Sequence, residues 1–94
     1  METPRQPDQR PTKEIAVETV ENIVSMLVNK PYLVVCRELP HEDESCVITI
    51  KADGSDIGKI VGKEGHTANS IRNILSSVGK KNGFKIKVEI QELA

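Results

Sequence analysis

The chain has 94 residues, a net charge of −1, 37% hydrophobic residues and 29% charged residues, which indicates one domain with a modest core. No apolar run is long enough for a transmembrane helix, and the N-terminus lacks a signal-peptide apolar region, so we expect a cytoplasmic protein without membrane contact. Only Tyr32 and Phe84 are aromatic, which excludes a nucleic-acid site built on several stacked rings.

The charge is unevenly distributed, because the first 50 residues carry a net −4 and the remaining 44 carry +3. The basic half weakly supports an anion-binding face. Cys36 and Cys46 show neither a disulfide framework nor a metal-ligand spacing, and His41 and His66 are too scattered for a zinc site. We therefore expect two reduced, buried thiols, no metal and no cofactor.

The N-terminal half predicts a leader and one long helix. Residues 1–11 contain three prolines among polar residues, which predicts a disordered leader and a domain spanning 12–94. Apolar residues at spacings of three and four predict a helix over Thr12–Asn29, with Thr12 as its N-cap. Lys30 precedes a proline and is therefore pushed out of the helical region, which ends this helix.

Three short segments have the pattern of strands. Leu33–Leu39 is apolar at its centre, and Cys46–Ala52 and Phe84–Ile90 both alternate apolar and polar residues. The polar, acidic segment 40–45 predicts the loop of a hairpin between the first two strands. Its negative charge would repel RNA.

The most informative stretch runs from Ser55 to Val78, where two segments of helical periodicity flank the four-residue loop Gly62–Gly65. The apolar residues of each segment fall on one helical face; they are Ile57, Ile60 and Val61 before the loop, and Ala68, Ile71, Ile74, Leu75 and Val78 after it. The pattern predicts helix, glycine-bounded turn, helix.

The ends of these two helices are predicted as well. Ser55 is expected to cap the first helix, with Asp56 near its positive end. Gly79 is expected to end the second helix as its C′ residue, and Lys80–Gly83 to form a turn. The whole order is α-β-β-α-α-β, an α+β two-layer sandwich in which three helices cover one face of a three-stranded sheet.

The loop has a chemical use. Gly62 and Gly65 lack a Cβ, so another backbone can approach closely, and the first N–H groups of the following helix favour an anion. Lys63 and Lys59 add positive charge. A G-x-x-G loop between two helices is how a KH module clamps a nucleic-acid backbone. The alternative is that the glycines only allow a tight corner between two helices and bind no ligand. A G-x-x-G motif without further context favours this alternative.

The phosphate loop of nucleotide hydrolases is excluded here. That loop needs four residues between its first glycine and Gly-Lys, followed by Ser or Thr for magnesium. Only three residues separate Gly58 from Gly62, and Glu64 follows Lys63.

The element order, together with the run Asp56–Gly65 followed by Ala68, Ile71 and Arg72, resembles the type II KH-domain family, in particular its small bacterial single-KH proteins. The resemblance implies a non-enzymatic protein that binds single-stranded RNA as a regulator or chaperone and is linked to cell division and cell shape. It also implies a homodimer, or a heterodimer with a second KH protein.

The resemblance also implies roles for individual residues. Gly62, Lys63, Glu64 and Gly65 would hold the RNA backbone, and an aliphatic groove and further contacts would come from Ile57, Ile60, Val61, Lys59, His66 and Arg72. His66 and Glu64 depart from the family pattern, which predicts a weaker or pH-sensitive affinity for phosphate.

Two other functions compete with RNA binding. The chain is alternatively a protein-interaction subunit with little intrinsic RNA binding, in which the same helices mediate dimerisation. An enzyme is third, because the sequence shows no nucleophile–base spacing.

Overall fold

The computed structural model describes residues 10–40 and 45–93, so the leader up to residue 9 and the acidic loop 41–44 lie outside the described residues. Three α-helices and three strands occur within them; they are α1 (Thr12–Leu27), β1 (Val35–Pro40), β2 (Ser45–Ala52), α2 (Ile57–Val61), α3 (His66–Asn82) and β3 (Lys85–Glu92). Single 3-10 turns cover Pro31–Leu33, Gly54–Asp56 and Lys63–Gly65. The predicted α+β class and element order are confirmed.

The three strands form one mixed sheet in the order β1-β2-β3. β1 pairs antiparallel with β2, with Val35 opposite Lys51, as the predicted hairpin requires. β2 pairs parallel with β3, with Ile48 opposite Val88. A parallel pair needs a long crossover, and α2, the glycine loop and α3 supply it.

The core lies between the helices and one face of the sheet. Cys46, Ile48, Ile50 and Ala52 of β2 are all 0% exposed. The helices contribute Ala16, Val20 and Val24 from α1, Ile60 from α2, and Ile71 and Leu75 from α3. Both cysteines are free and buried, as predicted. Burial, with a smaller effect of Glu21, raises the pKa of the Cys36 thiol to about 12.

The predicted end of the last helix is wrong. α3 continues to Asn82, and Gly83 follows it with a φ of 81°, so the expected turn at Lys80–Gly83 is helical over three of its four residues. Gly79 is buried inside α3. Its carbonyl accepts the Phe84 N–H at 3.0 Å, and a Cβ on Gly79 would lie 2.4 Å from the Phe84 carbonyl oxygen. The glycine therefore serves close packing rather than helix termination.

Other boundaries shift by a few residues. α1 begins at Thr12, but Pro11 is the N-cap residue and no side chain caps the helix. The Thr12 hydroxyl instead lies 3.3 Å from the Asn82 side-chain oxygen, which joins α1 to the end of α3. β3 extends beyond the predicted Ile90, and the Leu93 N–H donates to the Ala52 carbonyl at 2.9 Å.

Two glycine-to-alanine variants test the packing at Gly79. Gly79→Ala should lower stability by ~1–3 kcal/mol, because the new methyl group meets a backbone oxygen that cannot rotate away. Gly58→Ala is the matched control, since nothing lies within 4 Å of a Cβ there, and it should raise stability by ~0.5–1 kcal/mol. Urea unfolding measures both changes. A Gly79→Ala variant as stable as Gly58→Ala would contradict the packing.

Candidate nucleic-acid interface

The start of α2 is held by the buried carboxylate of Asp56, whose side chain is 1% exposed. Its two oxygens accept the backbone N–H groups of Asn29 at 3.1 Å and Lys30 at 3.0 Å. Lys59 Nζ lies 3.7 Å from Oδ1. Asp56 makes no side-chain cap to its own helix. It therefore fixes the segment after α1 to the helix that leads into the glycine loop.

Asp53, not the predicted Ser55, is the residue that caps this part of the chain. Its carboxylate accepts the Ser55 N–H at 3.1 Å and also the Ser55 hydroxyl. Lys30 Nζ lies 3.4 Å from the same oxygen. These hydrogen bonds, those from Ser55 first, hold the pKa of Asp53 below its usual value. The prediction of a Ser55 cap is wrong, because the chain forms a 3-10 turn before α2.

The loop between α2 and α3 is built from left-handed backbone conformations. Gly62 and Gly65 both have a φ of 79°, and Glu64 has a φ of 55°. Within the loop the Gly65 N–H donates to the Gly62 carbonyl at 3.1 Å. A Cβ on Gly62 would lie 2.9 Å from the backbone nitrogen of Thr67. The corner itself therefore requires glycine at position 62.

The loop delivers the chain directly into α3. Gly65 is the N-cap of this 17-residue helix, and no side chain caps it. The first N–H groups of a helix have no partner within the helix, and the helix dipole adds to their attraction for an anion. The His66 N–H already donates to the Lys63 carbonyl, so the later N–H groups of the first turn are the donors that remain beside the loop.

Charged side chains surround these donors. Lys63 is exposed at the loop. His66 Nε2 lies 3.5 Å from Glu64 Oε2, and both side chains are about three-quarters exposed. Arg72, on the second turn of α3, donates to the Asn69 side chain at 3.4 Å and to the Val88 carbonyl of β3 at 3.5 Å. Its guanidinium is thereby directed along α3 towards β3 rather than to the loop.

The apolar residues of α2 divide into two roles. Ile60 is 0% exposed and belongs to the core, so it cannot offer surface to a base. Ile57 and Val61 are half-buried and retain exposed aliphatic surface. Of the predicted site residues, Gly62 to His66 lie together at the loop, and Ile60 is buried in the core.

Residues 10–40 and 45–93 contain no group of three or more His, Cys, Asp or Glu side chains able to hold a metal ion. None of their helices is long and apolar enough to cross a membrane.

The chain matches one known protein family over most of its length. The model of the KH domain of KhpA and KhpB matches residues 17–90. The chain belongs to the KhpA/KhpB KH-domain family. The resemblance predicted from the sequence is therefore confirmed.

Two relatives show how far the similarity extends. The RNA-binding protein KhpA of Clostridium perfringens is 38% identical over 73 residues, covering 78% of this chain and 96% of the relative. The RNA-binding protein KhpA of Chlamydia trachomatis is 37% identical over 75 residues, covering 80% and 95%. These relatives are named for RNA binding, which supports the prediction of a protein without enzymatic activity.

A solved structure shares the fold. Era, in complex with MgGDPNP and nucleotides of 16S ribosomal RNA, superposes with a TM-score of 0.55 at 19% identity. The match covers 99% of this chain and 36% of the Era chain. At this identity the likeness concerns the fold alone.

Replacing Asp56 tests its part in holding the site. Asp56→Ala should lower stability by ~3 kcal/mol, because two part-buried backbone N–H groups lose their charged acceptor and the buried side chain leaves a gap. That corresponds to a fall in Tm of more than ~10 °C for a domain of this size. Glu64→Ala, at an exposed side chain, is the control and should melt close to wild type. Equal melting of the two variants would show that the Asp56 contacts contribute nothing.

Proposed function

We propose that this chain binds single-stranded RNA, with the RNA backbone held by the loop Gly62–Gly65 and the first turn of α3. It would act as a non-enzymatic regulator or chaperone of RNA. The observation that supports this most is the uncapped N-terminus of α3, which follows a glycine loop carrying the exposed Lys63. Its relatives, named as RNA-binding proteins, point to the same chemistry.

The phosphate contacts would be made by backbone and lysine together. The N–H groups at the start of α3 donate to phosphate oxygens, and the absence of a Cβ at Gly65 lets the RNA backbone approach. Lys63 adds a positive charge at the loop. Lys59 Nζ lies near the Asp56 carboxylate, and this ion pair restrains the Lys59 side chain on α2.

The bases would rest on aliphatic surface rather than on aromatic rings. Ile57 and Val61 leave part of their side chains exposed beside the loop. A KH module holds about four nucleotides in this way. Arg72 extends the polar surface towards β3, where its guanidinium can contact a base or a phosphate. His66 and Glu64 flank the backbone path.

We also propose that the chain dimerises in the cytoplasm, either with another copy of itself or with a second KH protein. The supporting observation is a set of large apolar side chains exposed on the helical side; they are Ile23, Met26, Leu27, Tyr32 and Ile74. Two joined modules would bind RNA more tightly through effective concentration.

A double variant in the loop tests RNA binding. Lys63→Asp/Glu64→Asp should weaken binding of a short single-stranded RNA by ~100-fold or more, because two carboxylates would lie beside the phosphate site. The melting temperature should stay unchanged, because both side chains are exposed. Fluorescence anisotropy at fixed salt measures affinity. Lys81→Glu, at the far end of α3, changes the net charge by the same amount and should keep wild-type affinity.

The loop variant also distinguishes RNA binding from the alternative function. If the double variant melts and binds RNA like wild type, the loop is only a corner between two helices. The chain would then be an interaction subunit, and sedimentation should show a dimer in the absence of RNA.

A further inference from the structure

The face of the sheet opposite the helices carries a groove of about 440 Å³, within the size range of ligand sites. Val35 and Leu39 of β1 supply apolar surface, and Arg37, Thr49 and Lys51 supply polar groups. Val35 is 36% exposed and Leu39 is 49% exposed. The groove is thus an accessible surface of mixed chemistry, separate from the glycine loop.

A buried hydroxyl without a partner lies at this groove. Thr49 is 5% exposed, and its Oγ1 has no hydrogen-bond partner among the residues that the structure describes. The strand alternates, so Ile48 and Ile50 face the helices and Thr49 lies on the opposite face. Buried polar atoms normally have a partner, and a group entering the groove is well placed to provide one.

The charge of this open face is positive. Arg37 and Lys51 make no ion pair with another described residue. Alternation along β3 places Lys85 and Lys87 on the same face. Glu89 is its only carboxylate among the described strand residues. A net charge of +3 on one face of a small sheet is complementary to a polyanion.

One end of the groove lies where β2 ends and the chain continues towards α2 and the glycine loop. Val35, Lys51 and Gln91 form one row across the sheet at that end. β2 ends one residue after Lys51, and the chain continues into α2, whose five residues span about 8 Å. A nucleic-acid strand longer than the roughly four nucleotides held at the loop would reach this end of the groove by passing round the edge of the sheet.

We propose that the open sheet face is a second contact surface for single-stranded RNA, which binds nucleotides beyond those held at Gly62–Gly65. The inference rests on the proposed function and extends it. The Arg37 guanidinium and the aliphatic side chains would pack on a base, and Lys51 would contact a phosphate. The Thr49 hydroxyl and the Gln91 amide would bond the edge of the base.

The test compares RNAs of four and twelve nucleotides, because the short RNA reports on the loop alone. Arg37→Gln/Lys51→Gln should leave the affinity for the tetranucleotide within about twofold and weaken binding of the twelve-nucleotide RNA by about tenfold. A longer RNA also binds more tightly because it offers more registers, but this gain is common to wild type and variant and cancels in their ratio. The salt slope for the long RNA should fall by about 0.7, because Lys51 is the residue that contacts a phosphate.

Thr49→Val separates the hydroxyl from the charges. It should weaken binding of the long RNA by about fivefold without changing the salt slope, because it removes one hydrogen bond and no charge. Lys80→Gln/Lys81→Gln removes two charges from the end of α3 and should leave both affinities unchanged. All affinities are measured by anisotropy at fixed salt.

The outcomes are distinct. If Arg37→Gln/Lys51→Gln binds the long RNA like wild type, as it would if an acidic protein segment were the true occupant, the inference is overturned. An equal loss of affinity for the long RNA in Arg37→Gln/Lys51→Gln and in Lys80→Gln/Lys81→Gln would indicate a general charge effect and would also overturn the inference. Failure of the wild type to bind the tetranucleotide would instead contradict the proposed function, which the sheet variants do not test.

Discussion

The geometry of the molecule depends on one buried carboxylate. Asp56 accepts two backbone N–H groups from the segment after α1, and it immediately precedes α2, which leads into the glycine loop. Burying a charge is costly unless hydrogen bonds compensate for it, and here the acceptor geometry matches two donors that would otherwise lack a partner. The contact is more specific than apolar packing, because directional hydrogen bonds join the segment after α1 to the start of α2.

The rest of the site divides into support and contact surface. Ile60 is fully buried in the core and helps to hold α2 in place, while its neighbours Ile57 and Val61 keep partial exposure. Three residues of the loop have a positive φ, and one of them, Glu64, is not a glycine. Such a conformation persists only where surrounding structure determines it. A site formed in advance loses less conformational entropy when a ligand binds.

The sequence predicts the element order, the hairpin, the core-facing residues and the glycine loop, because these follow from local periodicity. It fails where a residue acts through contacts outside its own helix or strand. Gly79 has the local pattern of a helix end, yet it packs against the Phe84 carbonyl. Asp56 suggests a helix-dipole role, yet its partners lie 26 and 27 residues earlier. Strand β2 alternates in sequence, yet Ser45 to Ile50 are all buried, and the groove at Thr49 appears only after the three strands are paired.

Amide chemical-shift mapping with a single-stranded tetranucleotide RNA tests the central claim most directly. If the loop and the start of α3 hold the RNA backbone, the largest shifts should occur at Gly62, Lys63, Gly65 and His66, with smaller ones on α2. Residues of the same helix near Asn82 should remain unchanged, since they lie at the opposite end of α3. Shifts confined to the exposed apolar residues of α1 and α3, with none at the loop, would contradict the account.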